Sequence, residues 1–455
     1  MSPSPGSVEL SIDELRSGSR LSHSILDAND LLLLAAGTEI TDPIKKRLID
    51  RGIQAVYLHP QDAARMLAPQ LKRAEVTAIL RPKGTLSPAA SPKPPLASTK
   101  SVAELNQQVA RLASRVALSV SNMDPPLKNR QRRLASDPYD PQQRERLTKQ
   151  FATTKKLLDT MIRHAIAGLS QDTRAVRVVA NGATAELIHD PDHTIATSAE
   201  VSRNPEITER AVRTSVLAMA IAIEMGWDEH LVREVGQCGL VHDWGMYRLE
   251  EEIHSQRSTL TNDAREQMAQ HPLYTFEMLE KMHELSDSVR IAAAQVHEKL
   301  DGSGYPRCLK DNQIHPYAKI LHVADAYVSL TEETWGRPAF LAYDVMVYLL
   351  SQVKTKSISL DAVRALLNVV ALFPIGSHVQ LSDGSEARVI RRGNGPYTEP
   401  VVQRVGADRR LRMDKGHSSI VDLSKSELKV TAPQPHPTRP EERIADPSTT
   451  DLLWE

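Results

Sequence analysis

From about Phe151 to Leu367 the apolar residues fall at helical intervals, and this constrains the fold more than any other feature of the chain. Leu157, Leu158, Met161, Ile162 and Ala165 make one stripe; Val212, Val216, Met219, Ala220 and Ile223 make another. Steps of three and four put each set on one side of an α-helix, so the middle of the chain is expected to be an all-α bundle. Neither flank keeps that period. From about Val8 to Ala68 short apolar segments precede "TDPIKKRLIDRG", where Thr41 or Asp42 can cap a helix, Pro43 suits its first turn and Gly52 can end it. The next run, "IQAVYLH", reads as a strand, and together these describe a small N-terminal α/β module. Near the other end "GSHVQLSDGSEARVIRR" alternates, turns at "SDG" and alternates again, the pattern of a β-hairpin, with "PVVQRV" and "SSIVDL" as further strands.

The expected organisation is multidomain. Residues 1–7 are disordered, 8–68 form the α/β module, 69–100 are a flexible linker rich in Pro and Ser, and 101–199 are a helical connecting region. Residues 200–370 form the central bundle, 371–430 a small β-rich module, and 431–455 a Pro-rich disordered tail. In the connecting region Val102, Leu105, Val109, Leu112 and Val116 form an amphipathic stripe, which either packs into the core or meets a partner helix or dimer seam. The run "KNRQRR", Lys128 to Arg133, is a solvated surface or a contact for an acidic partner.

Composition narrows the function. In 455 residues, 56 Lys and Arg balance 57 Asp and Glu, which gives no reason to expect binding to a nucleic-acid polymer or a membrane. Two cysteines, Cys238 and Cys308, exclude a disulfide scaffold, and with no apolar signal or spanning segment a cytoplasmic protein is expected.

Chemistry gathers at "VHDWGMYRL", residues 241–249, where His242 and Asp243 follow the apolar run "CGLV" at what should be the buried end of a helix. An unpaired carboxylate there is expensive, so a metal ion or a tight hydrogen-bond network must satisfy the pair. His271 in "QHPLY", His297 in "VHEKLDGSGYP" and Asp325 in "ILHVADAY" lie in or beside apolar helical patterns, which is how a bundle builds a metal site. Imidazole with carboxylate suits Fe, Mn or Zn, and a bridging carboxylate suits the two-metal chemistry of phosphoryl transfer. Alone, an adjacent His and Asp is as readily a satisfied core pair or a cap.

The order "HDxGx", "HP", "HExxDGSGYP", "VAD" and "RP", over residues 242–338, resembles the HD-GYP branch of the HD phosphohydrolase superfamily, with similarity across roughly 200–370. The resemblance implies an HD-type helical bundle that hydrolyses the bacterial second messenger cyclic di-GMP, or a related cyclic dinucleotide, with divalent metal ions, commonly Fe or Mn, here at two sites at most. It implies His242, Asp243, His271, His297 and Asp325 as metal ligands, with Asp243 as the bridge and a catalytic residue, and Glu206 as a ligand in members with a third metal. It also implies that Gly302, Ser303, Gly304 and Tyr305 form the substrate loop, Tyr305 being catalytic as well, and that Arg337 meets the phosphate; a surface salt bridge is the alternative for Arg337.

Three positions depart from that pattern. Arg210 stands where a ligand histidine is expected, Val296 replaces the first histidine of an HHE element, and Met246 replaces the lysine of HDxGK. Arg210 either brings positive charge towards the first ion or pairs with Glu206 one turn away, and His322 is the candidate replacement ligand, against the more ordinary reading of a capped or surface histidine. Two functions follow: a metal-dependent phosphodiesterase acting on a cyclic dinucleotide, or a degenerate relative that signals as a nucleotide receptor through protein partners. Homodimerisation is compatible with both, and hydrolysis of a different phosphate ester is a third, weaker reading.

Overall fold

The helical stripes of the middle region close on one another in the computed structural model, which describes residues 8–12, 15, 19, 21, 25–26, 32–34, 38–50, 53, 55–58, 100–132, 140–166, 174–199, 206–249, 261–282, 284–333, 339–405 and 420–435. Two compact units divide at residues 93 and 94. Residues 1–7, Gly52 and most of the expected linker lie outside the described residues.

In the first unit β1 (Val8–Ser11), β2 (Ile25–Leu26), β3 (Leu32–Leu34), helix α1 (Asp42–Asp50) and β4 (Ala55–Leu58) follow in order. The sheet runs β1-β4-β2-β3 with antiparallel pairs, and Ile25, Ile40, Leu48, Val56 and Leu58 share its core.

The second unit begins at α2 (Val102–Ala113), where Ser101 and Glu104 form a reciprocal capping box. Its stripe is covered from within: Leu105 and Val109 cluster with Leu273, Phe276 and Ile291, which settles that stripe as core packing. The bundle continues through α3 (Pro141–Ile166), α4 (Arg174–His189), α5 (Pro191–Ser198), α6 (Ile207–Glu224) and α7 (Glu229–Val241). After these come α8 (Asn262–Met268), α9 (His271–Glu280), α10 (Asp287–Ala294), α11 (Pro316–Leu330), α12 (Ala342–Lys354) and α13 (Leu360–Val370). Helix α6 is buried along almost its whole length, as a central core helix must be, and its second half is almost entirely apolar. Small residues bring its neighbour close: a Cβ on Gly239 of α7 would stand 2.5 Å from the Ser215 Cα of α6.

Two expectations need correction. Leu158, Met161 and Ile162 of α3 and Val176 and Leu187 of α4 share one core cluster with α6, α7 and α11, so the helices before residue 200 belong to the bundle rather than connecting to it. An amphipathic helix has to bury its stripe somewhere, and here the bundle supplies the partner. In the basic run, Lys128 and Arg130 pair with Glu224 at 2.7 Å and Glu229 at 2.5 Å while their side chains stay 38% and 59% exposed, in keeping with a solvated surface.

The second correction concerns the end of the chain. Strands β5 (His378–Leu381), β6 (Glu386–Arg391), β7 (Val401–Arg404), β8 (Ile420–Asp422) and β9 (Val430–Gln434) form an antiparallel sheet of order β8-β7-β6-β5-β9. β9 takes up residues that composition assigns to a disordered tail. It is an edge strand, with Pro433 opposite Val379, and an edge tolerates a residue that cannot donate to the ladder. The sheet is tied to the bundle by Arg391, the last residue of β6, which pairs with Asp190, the N-cap of α5. Among the described residues no helix is long and apolar enough to cross a membrane.

Candidate metal centre

Helix α7 delivers the first donors. His242 is its C-cap, and Asp243 opens the 3-10 turn Trp244–Arg248, so the chain bends as it leaves the core and both side chains stay buried. The bend is fixed by Gly245, where a Cβ would stand 2.0 Å from the His271 carbonyl oxygen. Gly245 N–H donates to the Thr275 hydroxyl at 2.8 Å, and that hydroxyl donates to the His242 carbonyl at 2.9 Å. The turn and the start of α9 are thereby locked together, bringing His271, the first residue of α9, up to Asp243.

His297 follows α10 and is positioned by the loop after it. Tyr305 N–H donates to the His297 carbonyl at 3.1 Å, and the two rings stack with centroids 4.9 Å apart. Gly304 permits this approach, since a Cβ there would stand 2.2 Å from Lys299 N and 2.5 Å from His297 O. Gly302 turns the loop at φ +87°, in the left-handed region that favours glycine. Ser303 donates its N–H at 2.9 Å and its hydroxyl at 2.7 Å to Asp301, so that hydroxyl supports the loop itself. Glu298 holds the far side, accepting from Arg307 N–H and Leu309 N–H, each at 2.8 Å.

Two donor sets result, sharing Asp243. In the first, Asp243 Oδ1 lies 3.3 Å from His271 Nε2 and 3.9 Å from His297 Nε2, and the two Nε2 atoms are 3.1 Å apart. In the second, His242 Nε2 lies 3.4 Å from Asp243 Oδ2 and 3.5 Å from Asp325 Oδ1, Asp325 coming from the middle of α11. His242 Nδ1 meets the Gly239 carbonyl at 2.9 Å and His271 Nδ1 meets the Met268 carbonyl at 2.7 Å. Donation to those carbonyls leaves each Nε2 lone pair directed inward, the outer arrangement that orients imidazole ligands. His242 Nε2 and Asp325 Oδ1 are buried without a hydrogen-bond partner. The donor chemistry and these orphaned atoms fit a divalent cation that accepts nitrogen and oxygen ligands.

Electrostatics follow from the geometry. Burial would push the His242 imidazole down, but the negative charges of Asp243 and Asp325 beside it push it up to about 10. Burial would likewise raise Asp243, yet His242, with His271 and His297, holds its carboxyl well below the usual range. His297 is pushed down by burial, which favours the neutral ligand form, and burial keeps the Tyr305 phenol protonated.

The other candidates lie elsewhere. Glu206 caps α6 with its side chain 61% exposed and 3.3 Å from Lys155, away from both donor sets. Arg210 does not pair with the Glu206 side chain: its Nε lies 3.3 Å from Glu332 and its Nη2 lies 4.0 Å from Asp325. Val296 is sealed in the main apolar core, and Met246 packs with Ile207 and Leu249. Burial pushes His322 down to about 4; its Nδ1 meets the Val296 carbonyl at 2.9 Å, and it joins neither donor set. Arg337 lies outside the described residues. Sequence reading missed Gly245, Thr275, Glu298, Arg213 and Glu332 as supports. Gly245 and Glu298 stand inside the quoted motifs, whereas the other three carry no local signal.

Fold and donor arrangement together define a helical domain built round a buried histidine and aspartate cluster. Residues 198–357 match the family model described as HD domain. Among curated proteins, the cyclic di-GMP phosphodiesterase PA4108 of Pseudomonas aeruginosa is 24% identical over 249 residues, 55% of this chain and 60% of that protein. The cyclic di-GMP phosphodiesterase PdeB of Borreliella burgdorferi is 23% identical over 197 residues, 42% of this chain and 52% of that protein. The 3'3'-cGAMP-specific phosphodiesterase 3 of Vibrio cholerae is 28% identical over 176 residues, 39% of this chain and 37% of that protein. The chain therefore spans between about a third and three-fifths of the length of these relatives.

Proposed function

We propose that this chain is a metal-dependent phosphodiesterase that hydrolyses cyclic di-GMP or a related cyclic dinucleotide. The observation that carries the proposal is the convergence of Asp243, His271 and His297 beside the Tyr305 loop. These three residues would hold the cation, with iron or manganese the proposed identity. When bound, such an ion polarises a phosphoryl oxygen and acidifies water at neutral pH. Asp243 supplies the anionic ligand and orients the two imidazoles around it. Tyr305 keeps His297 in place by stacking and remains a phenol, able to donate a hydrogen bond to a substrate oxygen. Gly302 and Gly304 keep the loop thin, and Arg337 is proposed as a phosphate contact. A cytoplasmic location and signalling partners belong to the same proposal.

A second reading, a nucleotide receptor without turnover, is favoured by Arg210 beside Asp325 and by Met246 in an apolar cluster. The two are separated by incubating protein loaded with Mn²⁺ or Fe²⁺ with cyclic di-GMP and 3'3'-cGAMP. Metal-dependent hydrolysis that falls more than about 100-fold in Asp243→Ala is expected, because loss of an outer partner of a ligand already costs about 10–100-fold. Nucleotide binding without product from folded, metal-loaded protein would decide for the receptor.

A further inference from the structure

We infer that this chain builds a one-metal centre on Asp243, His271 and His297, with the guanidinium of Arg210 standing in for a second cation beside Asp325. The inference rests on the reading of this pocket as a metal centre, and it fixes how many ions that centre takes.

Donors about 2.1 Å from a common metal, at angles of about 90–110°, lie roughly 3.0–3.4 Å apart. In the first set His271 Nε2 stands 3.1 Å from His297 Nε2 and 3.3 Å from Asp243 Oδ1, inside that interval, while Asp243 Oδ1 to His297 Nε2, 3.9 Å, needs a wider angle. The second set is spaced much alike, with His242 Nε2 3.4 and 3.5 Å from Asp243 and Asp325, so it is the charge beside them that separates the two. Three protein donors leave positions open for water and substrate, as a catalytic site requires.

The second set offers His242, Asp243 and Asp325, but Arg210 is its neighbour. The guanidinium cannot shed its proton, and it cannot swing aside freely. Glu332, whose side chain is 0% exposed, holds Arg210 at 3.3 Å and also binds Arg213. An ion ligated by Asp325 Oδ1 would sit within about 6 Å of Arg210 Nη2, which lies 4.0 Å from that oxygen. At an effective dielectric of about 20, Coulomb repulsion between a divalent ion and a guanidinium about 6 Å apart weakens binding on the order of ten-thousandfold. The positive charge that a second ion would bring is carried by a side chain.

The test is metal stoichiometry. Chelator-stripped protein is titrated with Mn²⁺, freed of excess by gel filtration, and counted by elemental analysis, with electron paramagnetic resonance to separate isolated from exchange-coupled ions. One isolated Mn²⁺ per chain is expected in the wild type, none in His271→Ala, and one in Asp325→Asn. Arg210→His should raise the count towards two and give a coupled spectrum. Two ions per wild-type chain would overturn the inference, as would loss of the metal in folded Asp325→Asn to the extent seen in His271→Ala. The wild-type and Asp325→Asn counts decide the matter even if Arg210→His fails to fold. One ion without turnover of either cyclic dinucleotide removes the phosphodiesterase reading and keeps the inference. Two ions with turnover do the reverse, and no ion at all removes both.

Discussion

Two buried Asp–Arg neighbourhoods, one where the β-sheet meets the bundle and one at the donor cluster, are finished to different degrees. At the first, Arg391 donates through both terminal nitrogens to Asp190, the second contact at 2.8 Å, and Asp190 Oδ1 also accepts from His193 N–H at 3.0 Å. Both residues are 2% exposed, and the protein supplies the partners itself. At the second, Arg210 stays 4.0 Å from Asp325, and Asp325 Oδ1 and His242 Nε2 are buried without hydrogen bonds. A buried ionic group met by its own fold is architecture, whereas a cluster that stops short of satisfying itself marks the place of a ligand.

That contrast can be broken most severely at Arg391. Arg391→Met strands the Asp190 carboxylate in the interior, so a loss of about 3–5 kcal/mol in urea unfolding is expected, with metal content unchanged. A loss below about 1 kcal/mol, or a drop in bound metal, would show that the two neighbourhoods are not separate in kind.

A slightly smaller effect is expected from His315, which caps the helix carrying Asp325 by accepting Tyr317 N–H at 3.2 Å. Burial pushes its pKa down to about 4 from an ordinary 6.5, so the neutral ring is the folded form. Its contribution is therefore complete above pH 6.5 and is lost as the pH falls towards 4, a change of about 3 kcal/mol. His315→Asn keeps an acceptor at the cap and should flatten the stability difference between pH 7 and pH 4.5; equal acid sensitivity in the two proteins would refute this.

The mildest of the three is Gly304→Ala. Its Cβ would collide with backbone at Lys299 and His297, displacing the loop that sets the His297 ring. Metal affinity about 10–100-fold weaker is expected, with a stability cost of about 1–3 kcal/mol, read by Mn²⁺ titration and thermal melting.

Much of the central domain was legible because its signals are local. The stripe Val212, Val216, Met219, Ala220 and Ile223 sits in the main core, as its period requires. The donors were legible because each stands in a short ordered motif. What the motifs lack is depth. Val296 reads as a missing ligand, yet its side chain belongs to the apolar core. Arg210 lies four positions from Glu206, but the carboxylate that holds it, Glu332, is far along the chain, and no spacing rule joins the two. Strand β9 was hidden by prolines that argue for a tail, because edge pairing depends on a partner strand, β5, some fifty residues earlier.

Glu332 is gripped by two arginines, and this bears on tolerance to change. With Arg213 bound to it as well, the neighbouring arginine can be exchanged without abandoning a buried carboxylate. A histidine at position 210 would therefore leave Glu332 with a cationic partner. At Val296, sealed in the core, an imidazole would have to force its way among packed side chains. Of the two departures, one is a door left on its hinges and the other has been walled up.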